Sequence, residues 1–438
     1  FVAIPGLERN GLDFVPRAIA SGAAAAVLPE REARTVLAEL AAAFYDHPAR
    51  QLPVVGVTGT DGKTSTTHLL SAILEARGLR TGWLTTVNTR IGDQLRPNAF
   101  DHTTPESSVV QQGLAEMLAA GLDVAILETS SHALALERVH AVEYRVGVFT
   151  NLSPEHINFH GTFEAYRAAK LKLFAGLPPD GLAVLNADDA NVAWFRQATR
   201  ARILSYALDE PADIRATRVC LTARGTVFEV EGVTIRSRLV GRFNVANWLA
   251  AYAAATYFGA RLEDLRGAAQ NQEPVPGRMN LVDLGQPFTV IVDFAHTPQA
   301  LDRALETVRA MTSGRVLLVF GMAGGRDPAN RPVMGALAAR KADSFLISMD
   351  DPGHEDPAAI AAQIASGAQP AHNYAIQLDR RAAIRQLLER ARPGDVVLLA
   401  GKGHEQRMVV ADERRPWSDA QVAVEELRRL GFTGQAVP

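Results

Sequence analysis

The stretch VVGVTGTDGKTSTTHLL, residues 54–70, constrains the fold more than any other part of the chain. An apolar run of strand length leads into a glycine-spaced turn, then Lys63 and Thr64, then a helical pattern. Glycines let backbone N–H groups face phosphate oxygens, and the N-terminus of the following helix favours negative charge. The strict pattern G-x-x-x-x-G-K-[ST] requires glycine where this chain has Val57. The shorter GTDGKT form still predicts a phosphate-binding strand–loop–helix.

Strand-like and helical segments alternate along most of the chain, which predicts an α/β fold with parallel sheets covered by helices. Residues 1–50 carry one strand-like run, Phe1–Ile4, and two helical patterns. Residues 212–240 predict an antiparallel hairpin that turns near Glu231-Gly232, and 272–282 predicts a linker to a second, Rossmann-like unit. The predicted strands are 54–58, 81–86, 123–128, 146–150, 288–293, 315–320, 343–348 and 394–400, and the main predicted helices are 63–77, 107–120, 162–175, 243–258, 298–311, 330–341, 357–367, 379–391 and 419–430.

The composition narrows the functional classes. The 438 residues exceed one core, so two or three domains are expected. A formal net charge of -3 gives no indication of a nucleic-acid or membrane-surface partner, and no apolar run is long enough to predict a membrane span. The single cysteine, Cys220, excludes a disulfide framework and fits a reducing, cytoplasmic compartment. The opening FVAIPGLERNGLDF is neither a signal peptide nor a methionine start, so we expect residues upstream of it.

Lys170 interrupts an apolar helix face. In HGTFEAYRAAKLKLFAGL, with Thr162 as the expected N-cap, helical spacing places Lys170 on one face with Phe163, Tyr166 and Phe174, whereas Lys172 should face water. One interpretation is a lysine whose stem packs while its amine reaches solvent. The other is a buried lysine with a lowered pKa, whose neutral amine can capture CO₂ as a carbamate and become an anionic metal ligand.

A carboxylate and a histidine also follow predicted strands. Glu128 ends the apolar run of LDVAILETSSHAL, beside the phosphate-loop strand, where a carboxylate is well placed for Mg²⁺. His156 and His160 lie four residues apart in a predicted loop, FTNLSPEHINFHG. Taken alone, Glu128 is more simply a solvated strand-end residue and His156 a structural histidine.

Several motifs together resemble the Mur ligase superfamily, and in particular its MurE branch. They are GTDGKT (59–64), DHTTPES (101–107), ETSSHALALERV (128–139), AYRAAK (165–170), VGRFNVANWLAA (240–251), PGRMN (276–280), DFAHTPQAL (293–301), GGRDPANRPVMG (324–335), AGKGHE (400–405) and WSDAQVA (417–423). The family usually has asparagine where this chain has Asp61, and aspartate where it has Glu155. The resemblance implies three domains: a partial N-terminal uridine-binding α/β domain (1–50), a central P-loop ATPase-type domain with a parallel sheet (51–275) and a C-terminal Rossmann-like domain that binds the amino acid (276–438).

The resemblance also implies a function in peptidoglycan precursor synthesis, and so in cell-wall growth, cell shape and division. The branch adds the third stem-peptide residue to UDP-N-acetylmuramoyl-L-alanyl-D-glutamate. The D-glutamyl γ-carboxylate attacks the γ-phosphate of ATP to form an acyl phosphate, which the amine of the added amino acid then displaces. The implied cofactors are ATP, two Mg²⁺ ions and a CO₂-derived carbamate on Lys170, and the expected state is a monomer.

Site roles are carried over only at matching positions. The catalytic set implied is Lys63, Glu128, His156 and Lys170, and the metal ligands implied are Thr64, Glu128, His156 and carbamylated Lys170. The nucleotide-binding set implied is Gly59, Thr60, Asp61, Gly62, Lys63, Thr64, Ser65, Asn244, Asn247, Arg278, Asp293 and His296. The UDP-substrate set implied is Thr103, Thr104, Ser130 and Arg138, and the set implied for the incoming amino acid is Arg331, Gly401 and Glu405.

The region expected to bind the added amino acid departs from the branch. Members that add meso-diaminopimelate carry D-N-P-R, whose arginine grips the distal carboxylate, whereas this chain reads Asp350-Asp351-Pro352-Gly353 and continues HED. Four carboxylates in seven residues favour an ammonium group, so Asp350 and Asp351 are added to the acceptor set and the predicted amino acid is L-lysine or L-ornithine. The alternative is that the acidic run is partly a solvated loop.

Other functions remain open from the sequence. A folylpolyglutamate-type ligase keeps the superfamily but changes the substrate, and HTTPES and AGKGHE argue against it. A P-loop kinase or regulatory ATPase has no need of a carbamylated lysine. An amidating-complex subunit of the Mur type often carries a zinc-binding cysteine cluster, which one cysteine cannot form.

Overall fold

A computed structural model of the protein describes residues 1–4, 10–26, 32–98, 102–222, 225–325 and 328–434. The helices are α1 (Val15–Ala20), α2 (Ala33–Phe44), α3 (Pro48–Gln51), α4 (Lys63–Ala76), α5 (Ser107–Ala119), α6 (Ser131–Ala135), α7 (Ile157–His160), α8 (Phe163–Ala175), α9 (Val192–Ala198), α10 (Arg242–Ala255), α11 (Leu262–Asn271), α12 (Pro298–Met311), α13 (Asn330–Lys341), α14 (Pro357–Ala368), α15 (Arg380–Arg390) and α16 (Asp419–Arg429). Short 3-10 helices cover Gly11–Phe14 and Thr256–Phe258.

The strands follow the predicted alternation and add several that the sequence did not indicate. They are β1 (Val54–Thr58), β2 (Thr81–Leu84), β3 (Asn88–Ile91), β4 (Gln94–Pro97), β5 (Val124–Glu128), β6 (Tyr144–Phe149), β7 (Leu182–Asn186), β8 (Arg202–Ala207), β9 (Ile214–Thr222), β10 (Gly225–Val230), β11 (Val233–Ser237), β12 (Asn280–Leu281), β13 (Thr289–Asp293), β14 (Val316–Phe320), β15 (Ser344–Ile347), β16 (Tyr374–Ile376), β17 (Val396–Ala400), β18 (Arg407–Val410) and β19 (Glu413–Pro416).

The chain divides into two compact units. Unit 1 contains Phe1–Leu152, Thr162–Arg215 and Trp248–Leu265, and unit 2 contains Ser153–Gly161, Ala216–Asn247 and Arg266–Pro438. The domain boundaries implied by resemblance, at 50 and 275, stay a prediction. Among the described residues, no helix combines the length and apolar character needed to cross a membrane.

The sheet of unit 1 positions the phosphate loop. Its strand order is β8-β7-β6-β1-β5-β2-β3-β4, and all neighbours are parallel except at the β2–β3 and β3–β4 pairs. Strand β1 is buried along its length and lies between β5 and β6, as a central strand of a parallel sheet should. Its core packs apolar side chains of β5, β6 and α8, including Phe149, Tyr166 and Phe174. Each such fully buried side chain contributes about 1.5–3 kcal/mol.

The main sheet of unit 2 has the order β12-β13-β17-β14-β15-β16, parallel except for β12. Apolar clusters cover both faces, one with α12–α14 and the other with α15 and α16, so the strands are buried on both sides. This is the predicted doubly covered α/β unit. Strands β10 and β11 form the predicted antiparallel hairpin, with Val230 and Val233 flanking its turn.

Two sequence predictions are wrong. Phe1–Ile4 is not a strand, because only Val2 makes a bridge there. The loop predicted around His156 is instead the single turn α7, with His156 in its N-cap position at φ 56°. By contrast, the predicted N-cap Thr162 is confirmed, since its side chain accepts the N–H group of Ala165. Thr297 caps α12 in the same way and accepts the N–H group of Ala300.

Candidate active site

The phosphate loop follows β1 and leads directly into α4. Gly59 has a φ of 154°, and a Cβ added there would lie 1.9 Å from Thr150 Oγ1, so the position requires glycine. Gly62 has a φ of 81° and occupies the N-cap position of α4. The loop is also tied to the chain after β6, because Thr60 N donates to Asn151 O at 2.8 Å. Backbone conformation therefore shapes this loop, as phosphate binding by N–H groups demands.

Two charged side chains and one hydroxyl converge on the loop. Lys63 Nζ donates to Gly59 O at 3.1 Å and to Thr60 O at 2.8 Å, which holds its ammonium against the loop. Thr64 Oγ1 donates to Glu128 Oε2 at 2.9 Å, and Thr86 N donates to the same oxygen at 2.9 Å. Hydroxyl and carboxylate oxygens are the ligand types that Mg²⁺ prefers, so this pair fits the cation that the sequence analysis assigns to it.

Lys170 lies beneath the loop. It is 1% exposed, and its Nζ donates to Gly59 O at 2.6 Å and lies 4.7 Å from the ring centre of Tyr166. The Tyr166 hydroxyl in turn lies 3.0 Å from Thr60 Oγ1. The amine therefore does not reach solvent, and the first interpretation of Lys170 is wrong. Lys172 faces outwards as predicted, with a side chain that is 49% exposed and paired with Glu137.

Three of the residues expected to bind the UDP-substrate lie together near Glu128. Thr104 Oγ1 donates to Glu128 O at 2.7 Å and lies 3.2 Å from Ser130 Oγ. Arg138 Nη1 donates to Thr104 O at 3.0 Å, and Arg138 Nε lies 2.9 Å from Glu106 Oε1. Burial lowers the pKa of the Arg138 guanidinium, although the Glu106 carboxylate opposes the shift. Thr103 is half-buried, and Asp101 of the same motif lies outside the described residues.

The residues expected to contact the nucleotide from unit 2 fall in two groups. Asn244 and Asn247 are buried on α10, where Asn247 Nδ2 donates to Asn244 Oδ1 at 3.1 Å. Asp293, at the end of β13, accepts the N–H groups of Met279 at 2.7 Å and Ala295 at 2.9 Å. The guanidinium of Arg278 lies 4.6 Å from the ring centre of Phe294.

Two histidines, His296 and His404, pack near Phe294, and a third, His156, shares a carboxylate neighbour with His296. The Nε2 atoms of His156 and His296 lie 3.6 Å and 3.9 Å from Glu155 Oε1, so one carboxylate lies between the two imidazoles. His156 belongs to unit 2, whereas Thr64, Glu128 and Lys170 belong to unit 1. His404, to which the sequence analysis gave no role, packs its ring 4.8 Å from that of Phe294. Burial, with Arg278 and His296 nearby, lowers the pKa of His404 to about 3.

The acidic residues expected to bind the added amino acid form one cluster in unit 2. Carboxylate oxygens of Asp350, Asp351 and Glu405 all lie within 4.8 Å of one another. The buried Lys402 ammonium lies among them, 2.5 Å from Glu405, 2.7 Å from Asp351 and 3.7 Å from Asp350. Three carboxylates around one ammonium leave the cluster negative when all are ionised. Asp350 is 6% exposed, whereas Glu355 and Asp356 of the same run are exposed, so the run is solvated only in part.

The charges in this cluster shift one another's pKa. Burial raises the pKa of Asp350, and it raises that of Glu405 to about 6 despite the neighbouring Lys402. Burial alone would lower the pKa of Lys402, but Asp350, Glu405 and Asp351 together raise it. Gly401 lies directly beside the cluster, because a Cβ added at this position would lie 2.6 Å from Asp350 Oδ2. The motif AGKGHE predicted no role for Lys402, because two of its three carboxylate partners, Asp350 and Asp351, lie on a distant segment of the chain.

Arg331, also expected to meet the amino acid, is 2% exposed. Its guanidinium pairs with Glu355 at 2.9 Å and donates to Gln363 Oε1 at 2.7 Å. Gly353, the position that departs from D-N-P-R, has a φ of 55° and pairs with Val410 of β18. Arg326 and Asp327 of the neighbouring motif lie outside the described residues.

Comparisons with known proteins agree with the resemblance seen in the motifs. Residues 57–255 match the Mur ligase middle domain, and residues 277–403 match the Mur ligase, glutamate ligase domain. A UDP-N-acetylmuramyl-tripeptide synthetase from Roseiflexus sp. (strain RS-1) is 41% identical over 99% of this chain and 92% of its own length. A UDP-N-acetylmuramoyl-L-alanyl-D-glutamate–2,6-diaminopimelate ligase from Geobacillus kaustophilus (strain HTA426) is 39% identical over 98% of this chain and 92% of its own.

One solved structure gives the same assignment, and a more distant one shares the fold. One described as a UDP-N-acetylmuramoyl-L-alanyl-D-glutamate–2,6-diaminopimelate ligase matches with a TM-score of 0.65 and 30% identity, covering 94% of this chain and 86% of that one. A Mycobacterium tuberculosis folylpolyglutamate synthase shares the fold, with a TM-score of 0.69 at 18% identity over 90% of this chain and 94% of that one. The resemblance predicted from the motifs is confirmed, and the chain belongs to the Mur ligase family of ATP-dependent amide ligases.

Proposed function

We propose that the protein uses ATP to add the third amino acid to UDP-N-acetylmuramoyl-L-alanyl-D-glutamate, and that this amino acid is L-lysine or L-ornithine. The relatives described above carry names for tripeptide synthesis or diaminopimelate ligation on that UDP-linked substrate. The observation that carries the reaction type is the convergence of Lys63, Thr64, Glu128 and Lys170 on one phosphate loop. This arrangement supports phosphoryl transfer to a carboxylate, which depends on positioning and charge neutralisation.

Each polar group near the loop has a role in the proposed reaction. Lys63 and the loop N–H groups hold the outer phosphates of ATP, while Asn244, Asn247, Arg278, Asp293 and His296 contact the nucleotide. Thr64 and Glu128 would hold Mg²⁺, and His156 and a carbamate on Lys170 would complete the ligand set for two ions. When bound, Mg²⁺ neutralises charge on the transferred phosphoryl group. Thr104, Ser130 and Arg138 bind the UDP-substrate and orient its D-glutamyl carboxylate.

The environment of Lys170 supports carbamylation. Its amine is buried, which favours the neutral form that reacts with CO₂, and a carbamate would be an oxygen ligand within reach of the loop. Replacing Lys170 with Ala should lower ligation by about a thousandfold or more, because a metal ligand is lost. Lys172→Ala, on the exposed side of the same helix, is the matched control and should change the rate less than about twofold.

A direct readout tests the carbamate independently of activity. Protein equilibrated with isotope-labelled CO₂ should show one protected lysine carbamate by NMR, which Lys170→Ala removes and Lys172→Ala keeps. A spectrum without a protected carbamate, together with full activity of Lys170→Ala, would contradict this part of the proposal.

The acidic cluster supports a basic amino acid. Asp350, Asp351 and Glu405 outnumber the single ammonium of Lys402, so a second ammonium brought by the substrate would be electrostatically favoured. Gly353 cannot form the charged fork with which an arginine would hold a distal carboxylate. These features favour a side chain that ends in an amine alone.

A panel of amino acids tests the proposed specificity. Condensation of UDP-N-acetylmuramoyl-L-alanyl-D-glutamate with L-lysine, L-ornithine and meso-diaminopimelate, read by mass, should give the highest kcat/KM with one of the two basic residues. The names of the relatives make meso-diaminopimelate the second candidate. Efficient use of meso-diaminopimelate over both basic amino acids would overturn the lysine or ornithine assignment and leave the ligase proposal intact.

A further inference from the structure

An arginine–aspartate pair lies in the interior of unit 2. Arg380 begins α15 and Asp419 begins α16, and both side chains are completely buried. Arg380 Nε donates to Asp419 Oδ1 at 2.8 Å, and Arg380 Nη2 donates to Asp419 Oδ2 at 2.6 Å. Trp417 Nε1 donates to the same Oδ1 at 2.8 Å. A two-point pair held by a third donor has a fixed orientation.

The remaining contacts of this guanidinium lead to the acidic cluster. Arg380 Nη2 donates to Ala400 O at 2.8 Å, and Arg380 Nη1 donates to Met349 O at 3.4 Å. Ala400 is followed directly by Gly401, and Met349 by Asp350. A single guanidinium therefore bonds to the backbone immediately before two residues assigned to the incoming amino acid. These two residues lie side by side, since a Cβ added at Gly401 would lie 2.6 Å from Asp350 Oδ2.

A similar arginine–aspartate pair lies at the other end of the strands of the same sheet and provides a comparison. Arg315 Nη2 donates to Asp395 Oδ2 at 2.6 Å, and these residues directly precede β14 and β17. Arg315 also bonds to a backbone carbonyl, that of Arg390, at 2.7 Å. Both pairs thus form hydrogen bonds at the ends of strands. Arg315 and Asp395 do so at the amino ends, where no residue was assigned to the incoming amino acid.

We propose that Arg380 and Asp419 are positioning residues for the amino acid acceptor. By fixing the carbonyls of Met349 and Ala400, the pair sets the separation of Asp350 and Gly401 and thereby the geometry that receives the amino acid. Arg380 also acts on the Asp350 carboxyl through its charge. Burial raises the pKa of Asp350, and the Arg380 guanidinium opposes that rise. This inference rests on the proposed function, in which the cluster binds the incoming amino acid.

Steady-state kinetics of the full chain with ATP, the UDP-dipeptide and L-lysine test the inference. Arg380→Lys keeps the charge but loses the two-point pair, and it should raise KM for the amino acid about tenfold. The KM values for ATP and for the UDP-dipeptide should stay within about twofold, because the positions fixed by Arg380 belong to the acceptor cluster. Arg315→Lys, the matched control, should leave all three KM values within about twofold.

Trp417→Phe keeps the experiment informative if Arg380→Lys does not fold. It removes only the indole N–H donor to Asp419, so it should raise the amino acid KM in the same direction by about twofold to threefold. The positioning role would be overturned if the amino acid KM is unchanged in both variants. It would also be overturned if that KM rises no more than the KM values for ATP and the UDP-dipeptide. No ligation by the unaltered protein with any amino acid would instead count against the proposed function, so the two failures are distinguishable.

Discussion

The phosphate loop of unit 1 and the acidic cluster of unit 2 are built in different ways. The loop consists of six consecutive residues, and its shape comes from backbone conformation at Gly59 and Gly62. The cluster is assembled from side chains that are about fifty positions apart in the chain, Asp350 and Asp351 on one segment and Lys402 and Glu405 on another. A site whose geometry is set by the backbone can lose a side chain and keep its shape. A site whose geometry is set by contacts between side chains loses both shape and stability when one of them is replaced.

This difference matters because the two regions face opposite electrostatic demands. The loop must attract phosphate anions, and backbone N–H groups at a helix N-terminus do so with little desolvation cost. The cluster keeps several carboxylates in a partly buried place, where each raises the cost of ionising the others. Lys402 offsets that cost from within the protein. The following predictions test this contrast.

The largest effect is expected at Lys63. Replacing it with Ala should lower ligation about ten-thousandfold, equivalent to about 5 kcal/mol of transition-state stabilisation, because the outer phosphates lose their cation. The free energy of unfolding should change by less than about 1 kcal/mol, since the Lys63 side chain is only half-buried. Urea unfolding and steady-state rates check both, with Lys172→Ala as the control. A stability loss as large as the activity loss would remove the contrast between the two regions.

A large loss of stability is expected at Lys402. Lys402→Met removes the ammonium at the centre of the cluster and leaves the buried Asp350 without it, which should cost about 3–5 kcal/mol in the free energy of unfolding. The matched control is Lys341→Met, which removes a partly exposed ammonium paired with Asp302 and Glu306 and should cost less than about 1 kcal/mol. Equal stability losses in the two variants would show that the cluster does not depend on Lys402.

A smaller, pH-dependent effect is expected at His404. The unfolded chain gains a proton near pKa 6.5, but the folded state keeps this imidazole neutral down to about 3, so acidification favours unfolding. Between pH 7 and pH 5 this one group should lower the free energy of unfolding by about 2 kcal/mol. His404→Gln should remove that part of the slope, whereas His354→Gln, at a 74% exposed side chain, should retain it. Identical slopes in His404→Gln and the unaltered protein would place His404 in a solvated environment.

The contrast also explains how much could be predicted from the sequence. The GTDGKT motif specifies its own neighbours, and helical spacing was enough to place Lys170 on the buried face of α8. Most helices and buried strands were predicted to within a few residues because their apolar patterns are continuous. The antiparallel strands β3, β4, β18 and β19 were missed, since β4 and β19 are exposed along their length and lack an apolar pattern.

Contacts between distant segments could not be predicted. The local pattern around Lys402, Arg380 or Asp419 does not indicate a partner that lies tens of residues away. Charged side chains are ordinarily solvated, so the burial of these three could not be expected from their residue types. Strands β7 and β8 were also missed, although β7 is a mostly apolar run that is buried along its length. The error at Phe1–Ile4 came from relying on a short apolar run, which does not specify a pairing partner.

The contact between α8 and the phosphate loop has a consequence for exchanging parts between relatives. Lys170 and Tyr166, one helical turn apart, meet two adjacent loop residues, Gly59 and Thr60. A chimaera that takes its loop from one parent protein and its helix from another must therefore have compatible residues at all four of these positions. Recombination breakpoints between residues 60 and 166 should be tolerated only when both parents share that set.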